Sequence, residues 1–109
     1  MAEHIPEKDI QKEVERRLKD YGIRYIHIPS DTYVKTGGHF KGVPDLLAFF
    51  RREDGFNYCL CLELKADKGK LSQGQKNWHK GLNVHVTYGM DEAIECVENW
   101  VKFIDEINY

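Results

Sequence analysis

Long apolar runs are missing from these 109 residues: no stretch could span a bilayer, and the N-terminus lacks a signal-peptide pattern. A protein acting inside a cell, in the cytoplasm, is therefore expected. Cysteine is scarce. Cys59, Cys61 and Cys96 are odd in number and lack zinc-ligand spacing, so they read as small buried hydrophobes in a reducing compartment rather than a disulfide framework. Internal repeats and low-complexity segments are absent too. Gly37 and Gly38 lack the Lys-Ser/Thr ending of a phosphate loop, so no nucleotide cofactor is expected. A large charge excess is also lacking, the formal net charge being -2. That small sum conceals an uneven distribution. Acids gather near the end (Asp91, Glu92, Glu95, Glu98, Asp105, Glu106), while Lys35, His39, Lys41, Lys65, Lys68, Lys70 and Lys76 lie around the middle, where a local basic patch could hold phosphates.

What remains is enough for one domain, residues 1–109, with a single modest core. Pro6 to Tyr21 reads as a helix, with Ile10, Val14 and Leu18 on one stripe, Glu7 and Gln11 on the same side and Gly22 just past its end. Ile23 to Ile28 alternates as a strand. Ser30 to Lys41 reads as a long loop suited to contacting substrate. Asp45 to Arg52 and Tyr58 to Leu64 form a hairpin turned around Glu53, Asp54, Gly55 and Phe56. Ser72-x-x-Gln75 is a capping box opening a helix with Leu71, Gln75, Trp78 and Leu82 on one face. Asn83 to Tyr88 follows as a strand with Val84 and Val86 inward, then a last helix over Asp91 to Ile107 with Ala93, Val97, Trp100, Val101 and Ile104 at core spacing. The order α-β-β-β-α-β-α predicts an α/β protein: a central sheet of about four strands with helices on both faces.

The hairpin carries charge where a structural strand would avoid it. Asp45 opens the first strand, and Glu63 and Lys65 share a face of the second with Cys59 and Cys61, opposite Leu60, Leu62 and Leu64. Burying an unpaired carboxylate costs several kcal/mol, roughly, so these acids need a cation or hydrogen-bond donors. A divalent metal would serve both. As an alternative, Asp45 is a turn residue after Pro44, and Glu63 with Lys65 a strand ion pair; the apolar character of both faces argues against it.

Pro44-Asp45 followed by Glu63-Leu64-Lys65 resembles the PD-(D/E)xK nuclease signature. With Glu7-x-x-Ile10-Gln11 ahead, Gly42-x-Pro44-Asp45, and Leu71-Ser72-x-x-Gln75-x-x-Trp78 behind, the chain from Glu7 to about Tyr88 is similar to the VRR-NUC family of virus-type replication and repair nucleases. That resemblance implies a restriction-endonuclease-like core and hydrolysis of DNA phosphodiesters with Mg²⁺ or Mn²⁺. Asp45, Glu63 and the main-chain carbonyl of Leu64 would be ligands, with Glu7 completing the site from the first helix. Gln11 stands one turn later, where some relatives carry the helical acid, and is the other candidate. Lys65 would orient water and offset negative charge, and Gln75 would hydrogen-bond near the metal and the lysine. Ser30, His39, Lys41, Lys68 and Lys70 are candidates for phosphate contacts. Small free-standing members resemble Holliday-junction resolvases, so a homodimer cutting four-way or other branched DNA is expected. A nonspecific or flap-cutting nuclease, or a catalytically silent DNA-binding module of the same fold, are the alternatives.

Overall fold

The computed structural model describes residues 5–29 and 42–107. The predicted loop from Ser30 to Lys41 lies outside the described residues, apart from its neighbours at either side. The elements run α1 (Glu7–Asp20), β1 (Arg24–His27), β2 (Leu46–Arg51), β3 (Asn57–Lys65), α2 (Gln73–His79), β4 (Val84–Tyr88) and α3 (Gly89–Ile107). This is the predicted order.

Helix α1 buries Ile10, Val14 and Leu18, the stripe that a 3.6-residue period selects. It stops at a positive-φ glycine: Gly22 N–H donates to Lys19 O and Ile23 N–H to Leu18 O, the paired bonds of a Schellman ending. The chain then enters a sheet ordered β1-β2-β3-β4. The first two pairings are antiparallel, and β4 runs parallel to β3 because the connection through α2 carries the chain back to the start of the sheet.

The β2–β3 turn determines what comes later. Arg52 N–H donates to Phe56 O at 2.7 Å, closing a three-residue loop over Glu53, Asp54 and Gly55. From that closure the ladder counts back through Arg51↔Asn57 to Leu46↔Leu62 without a bulge.

Leu46 and Ala48 of β2 and Leu60, Leu62 and Leu64 of β3 lie on one sheet face and form the core with α1 and with Ala93, Val97 and Val101 of α3. Both long helices thus cover the same face. Arg17 of α1 reaches Glu98 of α3 at 2.7 Å, and the Tyr21 hydroxyl donates to the same carboxylate. The sheet is flanked by helices as expected, but among the described residues no helix buries a stripe against the opposite face. Helix α2 ends at His79, buries no residue, and leaves Leu82 exposed, since seven residues are too few to present a core stripe. The opposite sheet face, with Ile26 and Phe49, is correspondingly exposed. Val84 and Val86 also differ from expectation. Their parallel register sets them beside Cys61 and Glu63, so they lie on that second face, and Thr87 is the β4 residue packed inward.

Candidate active site

Register brings the two acids of the hairpin together. One step beyond Leu46↔Leu62 sets Asp45 opposite Glu63. Directly opposed residues of an antiparallel pair have Cβ atoms roughly 4.5–5.5 Å apart on the same face. On its other side the Asp45 carbonyl accepts the Ile28 N–H at 2.8 Å, so the residue is held from β1 as well. Its side chain leans across to β3, where Oδ2 accepts the Leu64 N–H at 2.8 Å. The next step of the ladder would pair Leu64 with Pro44. Proline has no N–H, so Pro44 offers the Leu64 carbonyl no donor.

Glu63 is fully buried, and neither carboxylate oxygen has a hydrogen-bond partner. Its pKa is pushed from the ordinary 4.5 up to about 9, first by burial and then by the Asp45 carboxyl beside it; Lys65 lowers it and Glu7 raises it further. The absent partner and the neighbouring acid are two views of one arrangement. Protonated, Glu63 can donate to Asp45; with both ionised, neither carboxylate has a donor to offer the other. Glu7, in the first turn of α1, is raised by burial, then by Asp45, and lowered by Lys65, which places it beside the same group. The four side chains therefore form one electrostatic cluster. Among the described residues, however, no group of three or more His, Cys, Asp or Glu side chains is arranged to hold a metal ion, so Glu7 is a neighbour of the Asp45–Glu63 pair rather than a third member at ligand distance.

Surrounding residues hold this cluster in shape. The turn after β3 is closed by Gly69 N–H donating to Ala66 O, and a Cβ at Gly69 would come within 3.1 Å of the Lys65 side chain, so the turn lies directly against the stem of the lysine. Lys68 and Lys70 are exposed on the same turn. Gly42, at φ 86, lies so close to the start of α2 that a Cβ there would sit 2.2 Å from the Gly74 carbonyl carbon and 2.4 Å from the Gln75 nitrogen. Gly42 entered the sequence reading only as part of the Gly42-x-Pro44-Asp45 pattern, without a role, and Gly69, four residues beyond Lys65, did not enter it.

The remaining candidates divide. Gln75 is brought to the Gly42–Asp45 segment through its backbone, but its Oε1 accepts the Ser72 N–H at 2.8 Å, completing the capping box while Ser72 Oγ accepts the Gln75 N–H. Its amide nitrogen and the second lone pair of its oxygen are left for the role expected of it. Gln11 donates from Nε2 to Glu15 at 2.9 Å along α1, so Glu7 is the helical residue electrostatically tied to Asp45. Ser30, His39 and Lys41 lie outside the described residues.

Two adjacent carboxylates, one without any donor, and the Leu64 carbonyl are hard oxygen donors, with an ammonium beside them. They suit Mg²⁺ or Mn²⁺ and not a soft metal. No family model matches the sequence, and no curated protein matches it. Among solved structures, one titled "VRR_NUC domain protein" is similar over 92% of this chain and 91% of its own, at 23% identity and a TM-score of 0.67. This chain has the fold of that VRR_NUC domain protein: a four-stranded mixed sheet flanked by helices.

Proposed function

We propose that this chain is a metal-dependent endodeoxyribonuclease of the VRR-NUC type, in which Asp45, Glu63 and the Leu64 carbonyl hold Mg²⁺ or Mn²⁺. The observation that carries the reading is Glu63: a fully buried carboxyl with no partner for either oxygen, opposed by a second acid. An acid so placed is expensive to ionise unless a cation joins it. The likeness to a VRR_NUC domain protein supports the same chemistry.

The bound ion would neutralise nonbridging phosphate oxygens and lower the pKa of an attacking water. The chain's own groups do the rest. Asp45 is oriented by the Leu64 N–H, which holds its carboxylate beside Glu63. The Lys65 ammonium stands beside the pair, supported by the Gly69 turn, where it can orient water and offset the charge that develops on the phosphate. Glu7 adds a proton acceptor at the edge of the cluster. Lys68 and Lys70 extend positive charge from the site onto the surface for backbone phosphates.

The substrate in this reading is branched DNA, four-way junctions above all, cut by a homodimer, because two matched nicks require two active sites related by a two-fold axis. Four-way junctions, flaps, duplex and single strands should be incubated with Mg²⁺, with Mn²⁺ and with chelator. Paired symmetric nicks on junctions alone, lost in Asp45→Asn, are expected. Equal cutting of all four substrates sinks the branched-DNA part, and no cutting with either ion sinks the nuclease.

A second reading, a silent DNA-binding module, is favoured by one observation, the lack of a three-acid group among the described residues. It predicts junction binding without turnover and no Mn²⁺ uptake by calorimetry, whereas a nuclease takes up the ion and loses that uptake in Glu63→Gln.

A further inference from the structure

The sheet ends at β4, whose outer edge has no neighbouring strand among the described residues. Edge strands are usually protected by lysine, proline, a bulge or a covering element. Strand β4 reads Val-His-Val-Thr-Tyr and has none of the first three. Beside it, on the helix-covered side of the sheet, lies an open groove of about 840 Å³ between β4 and the flank of α3. Leu60, Cys96, Trp100 and Phe103 give it an apolar lining, Tyr58 stacks edge-on against Phe103 at 5.9 Å, and Glu92 and Glu95 stand exposed along its wall. No lysine or arginine lines it. The lining reaches Val84 and Val86 of the other face, but Glu7, Asp45, Glu63 and Lys65 do not line it, so the groove is distinct from the candidate active site.

We propose that the groove docks an extended, basic peptide segment of a protein partner, added to β4 as a fifth strand. The free N–H and C=O groups of β4 would supply main-chain hydrogen bonds, alternate apolar side chains would enter the lining, and intervening lysines or arginines would meet Glu92 and Glu95. Charge chooses this occupant over the others. Nucleic acid would meet two carboxylates with no compensating cation. A second copy joined edge to edge by a two-fold axis would set Glu92 and Glu95 against their own counterparts.

The test is a titration of the ¹⁵N-labelled full chain with an acetylated seven-residue peptide alternating Lys and Val, and with the same peptide carrying Glu for Lys. Saturable shifts of the Val84 to Tyr88 amides and of the Trp100 indole, with β4 amide exchange slowed about tenfold or more, are expected for the basic peptide. The acidic peptide should bind at least about tenfold more weakly, and Glu92→Lys with Glu95→Lys should weaken the basic one as much. These two glutamates are exposed, so the variant keeps its fold, which its amide spectrum verifies. Shifts confined to Asp45 through Lys65, or equal binding of both peptides, overturn the proposal. So does concentration-dependent protection of the β4 amides before any peptide is added, which would mean that a second copy occupies the edge.

Discussion

Glu63 has no exposed surface, and its carboxyl is raised from 4.5 to about 9, chiefly by burial and next by Asp45. Between those two values the folded chain binds more protons than the unfolded chain, so the ion-free protein loses stability as pH rises through that window; below about 4.5 the loss disappears. Glu63→Gln keeps the shape and removes the charge. In chelator at pH 8 the variant should be more stable than the parent, by roughly several kcal/mol, and near pH 4 the two should coincide. Urea melts across the range measure this, and parallel curves would show that Glu63 is not buried unpaired. Asp45 offers a second residue-level check. Asp45→Asn retains an oxygen for the Leu64 N–H and should fold nearly as well as the parent, whereas Asp45→Ala orphans that donor and should cost about 1–3 kcal/mol. Cleavage should fall by at least about a hundredfold in both, a loss that belongs to the missing charge and not to the fold.

At the scale of elements, the site depends on how two connections are seated. The segment leading into β2 passes over the start of α2 at Gly42, where positive φ and the Gly74 and Gln75 backbone, which an added Cβ would overlap, leave no room for a side chain. Gly42→Ala should therefore destabilise the protein by at least about 2 kcal/mol and displace Asp45 relative to Gln75, which thermal melts and the spectrum of the variant would report. The α1–α3 clip is a milder matter. Arg17 bridges Glu13 and Glu98 at the solvent-exposed surface, so Arg17→Ala should lower the melting temperature only slightly, and less at high salt. The hairpin turn has greater consequences for function than its exposure suggests. Its three-residue closure sets the β2–β3 register, and that register alone decides that Asp45 faces Glu63.

For the whole molecule, a net charge of -2 is divided unevenly, with acids on α3 and lysines near the candidate active site. If DNA is held from that basic side, affinity should fall steeply with salt. Lys68→Ala with Lys70→Ala should reduce junction affinity and flatten the log–log salt slope by about two, with melting temperature nearly unchanged. Binding measured at several salt concentrations checks this; an unaltered slope would move the DNA elsewhere. The same division leaves the β4 groove acidic, which keeps the two surfaces from competing for one ligand.

Period and punctuation were sufficient for the element order, for the stripe Ile10, Val14 and Leu18, for the leucine face of β3 and for the core spacing of α3, because each depends on a repeat contained within one element. The same periodicity selected Asp45, Glu63 and Lys65 as charges out of place. It could not reveal that α2 stays outside the core or that Val84 and Val86 lie on the second face, since those follow from how elements pack. Local chemistry determined which residues would need a partner. Only the tertiary structure decided which partners they met, because the register between strands and the close approach at Gly42 bring together groups that lie far apart along the chain.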